Sequence, residues 1–130
     1  MSNSKATILV VDDSEIVLAM ACEALQKAGF EVVTATTAIG VDRYLASPRR
    51  PDLIILDVML PVLDGDRKAK MLKEDEDTKM IPVLLISSKP EEELRALVVK
   101  SRADGYIRKP FVNSQIIEIV EETLAQKRAS

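Results

Sequence analysis

The chain has 130 residues, 18 basic and 21 acidic for a net charge of -3, and 47% of it is apolar. That suits one domain over 1–130 with a buried core, and supplies no overall cationic field to draw the chain to nucleic acid or anionic lipid. With no histidine and a single cysteine, Cys22, it has no internal histidine base, no His-rich zinc site and no internal disulfide, which leaves aspartate to carry any chemistry.

Short β-branched runs alternate with helical patterns, which predicts a parallel α/β sheet covered on both faces. The first strand is expected over 7–11 and the first helix over about 14–27, where Ile16, Val17, Met20, Ala24 and Leu25 recur at helical spacing. Cys22 sits among small apolar neighbours and reads as buried. Gly29 is a natural stop, because glycine takes the left-handed conformation beyond a helix end. A strand over 31–35 leads to a helix around 38–46, and Pro48-Arg49-Arg50-Pro51 reads as an extended connector. Strands follow over 52–56 and 81–86, separated by a weaker helix. The fourth helix starts with Pro90 in its first turn and Glu91, Glu92 and Glu93 near its positive end, and turns Leu94, Leu97 and Val98 inward. The fifth strand, over 105–108, precedes a last helix from about 113 with Ile116, Ile117, Val120 and Leu124 inward; the polar tail from Gln126 is expected to fray. Residues 1–5 lack the apolar stretch of a signal peptide, and no run approaches the ~20 apolar residues that span a bilayer, so a reducing cytoplasm is the expected setting.

Polar residues interrupt four apolar runs at their ends: Asp12 and Asp13, then Asp57, Ser87 and Lys109. In a parallel sheet the carboxyl ends of the strands share one edge, so these residues converge there. Asp12-Asp13 alone would suit a turn with a helix cap, and Asp57 alone would suit a capped loop. Their coincidence with Ser87 and Lys109 points to a divalent metal with a phosphoryl group. Adjacent buried carboxylates are costly without a cation, and Mg²⁺ accepts such oxygen ligands while keeping room for phosphate oxygens. A carboxylate can attack phosphorus to form an acyl phosphate once the phosphoryl oxygens are neutralised.

Val10-Val11-Asp12-Asp13-Ser14, the run from Leu56-Asp57-Val58-Met59 to Leu63-Asp64-Gly65, Ile86-Ser87-Ser88 and Lys109-Pro110-Phe111 together closely resemble the receiver domain of two-component response regulators. The resemblance covers about residues 5–126. It implies a flavodoxin-like fold of five parallel strands in the order 2-1-3-4-5, the arrangement for which receivers are a standard example. It further implies Asp57 as phosphoacceptor and Asp13 as a direct Mg²⁺ ligand, with Asp12 reaching the metal through water and the Met59 backbone carbonyl completing the protein ligands. Lys109 and Ser87 would contact the phosphoryl group, Ser87 and Tyr106 would form a switch pair, and the Lys109-Pro110 bond would be cis. An ordinary amphipathic strand position is the alternative for Tyr106.

The implied partners are a histidine kinase or phosphotransfer protein and an output partner on the face made by the fourth helix, fifth strand and fifth helix. Two competing readings are a pseudo-receiver that only binds protein, and an aspartate-nucleophile phosphohydrolase. The latter usually needs a second acid two residues after the nucleophile, where Met59 stands. The chain also departs from the family. Its third helix is almost wholly polar over Asp66-Arg67-Lys68-Ala69-Lys70, leaving Ala69, Met71 and Leu72 to dock it, so it is expected to be the least secure helix. Arg102 stands where receivers often have glycine before the fifth strand.

Overall fold

The computed structural model describes residues 6–129; the expectations for residues 1–5 and for Ser130 lie outside the described residues. The strands β1 (Thr7–Val11), β2 (Glu31–Ala35), β3 (Leu53–Asp57), β4 (Val83–Ser87) and β5 (Gly105–Arg108) alternate with the helices α1 (Glu15–Lys27), α2 (Ala38–Leu45), α3 (Gly65–Glu74), α4 (Glu91–Ser101) and α5 (Asn113–Ala129). All strand pairs are parallel, in the order β2-β1-β3-β4-β5. The chain steps from β1 out to β2, then crosses back to place β3 on the other side of β1. Loops leaving β1 and β3 therefore diverge and open a crevice at their carboxyl ends. β3 and β4 lie one or two residues later than expected, so Asp57 and Ser87 are themselves the last residues of their strands.

Alternate strand residues fill two cores. Ile8, Val10, Ile55 and Ile86 meet α1 and α5 through Ala24, Leu25, Ile116 and Val120. Leu9, Val11, Ile54 and Leu85 meet α2, α3 and α4 through Val41, Ala69, Leu72 and Leu94. Burying each large aliphatic side chain stabilises the fold by about 1.5–3 kcal/mol. With helices on both faces, β3 and β4 are buried along their whole lengths, which is why they read as continuous apolar runs.

Local chemistry sets the helix ends. Ser14 Oγ accepts the Val17 N–H at 3.3 Å to cap α1, and Thr37 Oγ1 accepts the Gly40 N–H at 3.3 Å to cap α2. Pro90 proves to be the N-cap of α4 rather than part of its first turn. Beyond α1, Gly29 takes a φ of 98° as expected. Arg102 ends α4 in the left-handed conformation, φ 65°, its N–H donating to Val99 O at 3.3 Å; the helix exit that glycine favours is kept by a residue for which it costs more.

Several expected core positions are corrected. On α1 the inward stripe is Val17, Ala21, Ala24 and Leu25, and Ile16 and Met20, about 100° around the helix from it, are exposed. Cys22 is only half-buried. Met71 of α3 is exposed, and Lys68 takes the inward place at 6% exposure, its ammonium 2.8 Å from Asp42 of α2. Its stem lies along the apolar surface while the charge reaches the rim. Lys73 adds a second anchor, 2.8 Å from Asp104 and donating to Ile81 O at 2.9 Å. At the other end of the chain α5 stays helical to Ala129, through residues expected to fray.

Candidate functional site

β1 ends at Val11, but the Asp12 N–H still donates to Ala35 O at 3.1 Å, extending the β-ladder by one bond. Asp12 is thereby fixed to the sheet. Its Oδ1 accepts the Ser14 N–H at 2.9 Å, turning the chain into α1. Asp13, the next residue, is exposed. From the neighbouring strand Asp57 contributes a buried carboxylate whose Oδ1 accepts the Met59 N–H at 3.2 Å. One carboxylate oxygen from each of Asp12, Asp13 and Asp57 lies within 4.8 Å of the others. Lys109, directly after β5, places Nζ 2.8 Å from Asp12 Oδ2 and 3.4 Å from Asp57 Oδ2. Ser87 is buried at the end of β4, its Oγ accepting the Lys89 N–H at 3.0 Å and its carbonyl accepting the Lys109 N–H at 2.8 Å. The Lys109-Pro110 bond is cis, as the resemblance implies.

The β3–α3 loop leaves directly from Asp57. Gly65 N–H donates to Val58 O at 2.9 Å, and a Cβ at Gly65 would run into the Asp57 carbonyl, so only glycine lets the start of α3 approach so closely. Val62, at the tip, has φ 68° and is 97% exposed. Met59 is also exposed, which turns its thioether toward solvent and leaves its carbonyl as the atom to weigh as a ligand.

Charge here is out of balance. Burial, and then the Asp12 charge, push the Asp57 carboxyl up to about 6, against the opposing pull of Lys109 and the Met59 N–H. Burial also works against the Lys109 ammonium, but its contacts with Asp12 and Asp57 outweigh that and hold its pKa above the usual value. Asp12 Oδ2 is fully buried, with the Lys109 ammonium 2.8 Å away. Three acids around one ammonium leave an excess of negative charge, which fits a small divalent cation such as Mg²⁺ that prefers oxygen ligands.

The expected site residues Asp12, Asp13, Asp57 and Lys109 are thus brought together, with Ser87 on the adjoining strand end. Tyr106 stands apart. Its half-buried ring lies against the core on the α4 side, and its hydroxyl donates to Glu91 Oε2 at 2.7 Å and accepts from Arg95 Nε at 3.3 Å. Arg95 Nη2 closes the triangle, 2.8 Å from Glu91 Oε2. Arg108 Nε donates to Lys89 O at 3.0 Å, tying β5 to the loop after Ser87. Sequence reasoning assigned Glu91 only to the helix terminus and missed these contacts. The four-residue spacing of Glu91 and Arg95 was the available signal, but it does not point to β5.

The family model described as "Response regulator receiver domain" matches residues 8–121. The phosphate regulon transcriptional regulatory protein PhoB of Pseudomonas aeruginosa is 36% identical over 118 residues, covering 91% of this chain and 51% of that protein. The alkaline phosphatase synthesis transcriptional regulatory protein PhoP of Bacillus subtilis is 37% identical over 120 residues, covering 89% of this chain and 49% of that protein. The chain therefore spans about half the length of these curated relatives. The solved structure of the chemotaxis response regulator CheY4 of Vibrio cholerae superposes with a TM-score of 0.84 at 28% identity, covering 92% of this chain and 99% of that one. With the acidic cluster and lysine at the switch point of a 2-1-3-4-5 sheet, these matches show that the chain belongs to the response regulator receiver domain family, the phosphoacceptor modules of two-component signalling.

Proposed function

We propose that Asp57 is the phosphoacceptor, taking a phosphoryl group from a phosphohistidine on a histidine kinase or phosphotransfer protein. The observation that carries this reading is the convergence of Asp12, Asp13, Asp57 and Lys109 from separate strand ends onto one point. An Asp57 carboxylate oxygen forms the new P–O bond as the donor's P–N bond breaks, and the departing imidazole nitrogen keeps the electron pair. The acyl phosphate is later lost when water attacks phosphorus and the carboxylate leaves. Asp13, Asp57 and the Met59 carbonyl would hold Mg²⁺, with Asp12 acting through water, and a cation held there would neutralise charge on the phosphoryl oxygens. Lys109 pairs with the phosphoryl group in place of Asp57, and the Ser87 hydroxyl donates to another phosphoryl oxygen. Receivers are phosphoacceptors that assist their own chemistry, so the phosphohydrolase reading is set aside.

Ser87 and Tyr106 are proposed as the switch pair, with the output partner docking on α4, β5 and α5. A groove of about 400 Å³ lined by Glu91, Tyr106, Arg108, Phe111, Gln115 and Ile119 runs along that face. Among the described residues no helix is long and apolar enough to cross a membrane, and a cytoplasmic setting is proposed on the family's usual location. The test is intact-mass measurement with acetyl phosphate and Mg²⁺. A single phosphate adduct is expected on the native chain and none on Asp57→Asn; an undiminished adduct on the variant would place the acceptor elsewhere.

A further inference from the structure

We propose that Glu91 and Arg95 form a latch that holds Tyr106 outward, so that these two side chains of α4 set how strongly the resting chain resists activation. The inference rests on the reading of Ser87 and Tyr106 as the switch pair. Nothing in the phosphorylation chemistry requires a Glu–Arg pair on α4, yet both side chains converge on the Tyr106 hydroxyl, one accepting from it at 2.7 Å and the other donating to it at 3.3 Å. Both hydrogen-bonding functions of the phenol are thus used by charged partners, which are themselves paired at 2.8 Å. Turning Tyr106 inward breaks both bonds at once.

Hydrogen bonds from the site reach the short loop that leads into α4 and the latch. Ser87 Oγ, which would move toward a phosphoryl oxygen, accepts the Lys89 N–H at 3.0 Å; Lys89 O accepts from Arg108 Nε at 3.0 Å; and Glu91 opens α4 two residues beyond Lys89. Drawing Ser87 away withdraws the acceptor of the Lys89 N–H and frees the loop that carries Glu91. Glu91 is a positioning residue on this account, since it acts on the switch through Tyr106. Coupling of this kind is reciprocal: whatever favours the inward tyrosine must also tighten binding of a phosphoryl group, or its mimic, at Asp57.

The chain has two tyrosines and no tryptophan, so 3-fluorotyrosine labelling gives two ¹⁹F resonances, with Tyr44, bonded to Thr34 O at 3.0 Å, as an internal reference. Native chain and the double variant Glu91→Ala/Arg95→Ala, which removes both partners of the Tyr106 hydroxyl, are titrated with beryllofluoride in the presence of Mg²⁺. In the native chain the Tyr106 resonance is expected to move on binding while Tyr44 stays. In the variant it is expected to lie part-way to the bound position before any ligand is added, with half-saturation about threefold lower, the scale of an exposed charged contact. A variant whose Tyr106 resonance and half-saturation both match the native chain would overturn the latch, and so would a displaced resonance with unchanged affinity, because reciprocity demands both. Beryllofluoride binding to the native chain without movement of Tyr106 would instead overturn the switch-pair reading, and the latch with it.

Discussion

Replacing Asp57 by asparagine is expected to stabilise the divalent-free protein at neutral pH while removing the proposed phosphoacceptor. The folded state raises this carboxyl from its ordinary 3.8 to about 6, chiefly by burial and then by the Asp12 charge. A raised carboxyl binds more protons in the folded than in the unfolded chain, so stability falls as pH climbs from about 4 to 6 and stays lower above. The full rise would correspond to roughly 3 kcal/mol. Asp57 adjoins the exposed Asp13 at the edge of the site, so solvent screening reduces this figure, and about 1–2 kcal/mol is the expected gain for Asp57→Asn at pH 7.5. Asparagine keeps an oxygen for the Met59 N–H while removing the repulsion with Asp12. For a domain of this size each kcal/mol moves Tm by about 4 °C, which gives a rise of about 4–8 °C. Thermal unfolding followed by circular dichroism in chelator would measure it. The difference should shrink at pH 4.5, where the folded native carboxyl is already protonated, and Mg²⁺ should stabilise the native chain more than the variant. A variant less stable than the native chain at pH 7.5, or a gain as large at pH 4.5, would refute the electrostatic reasoning.

Val62→Gly should stabilise the chain by about 0.5–1 kcal/mol, because a left-handed β-branched residue costs about 1–2 kcal/mol and glycine returns part of that as lost chain entropy. Val62 is 97% exposed and buries almost nothing, so urea unfolding reads the backbone effect directly, and an unchanged or lower midpoint would count against strain at this turn. Asp13→Ala should weaken Mg²⁺ binding more than Asp12→Ala, since Asp12 already spends Oδ1 on the Ser14 N–H and Oδ2 on Lys109, whereas Asp13 is exposed. A Mg²⁺ titration showing equal losses, or the larger loss at Asp12, would reverse the two roles.

The strand runs, the helix stop at Gly29 and the acids at the strand ends were legible in the sequence because they follow from short-range rules: period, the backbone freedom of glycine, and the sharing of one edge by the carboxyl ends of parallel strands. Thr7–Val11, Glu31–Ala35 and Gly105–Arg108 fall where the residues predict them. What needed the tertiary structure was every choice between chemically similar positions. Ile16 and Val17 are both aliphatic, yet only the packing of α1 against α5 decides that Val17 turns inward. Lys68 is buried and Met71 exposed, against their side-chain types, because Asp42 waits at the rim of α2 to receive the ammonium. The raised Asp57 carboxyl depends on Asp12, 45 residues earlier in the chain, and the contacts of Tyr106 depend on how α4 lies across β5. Residue types and local spacing determined which groups the site contains; distances between groups far apart in the chain were decided only by the packing of helices on the sheet, which no local pattern encodes.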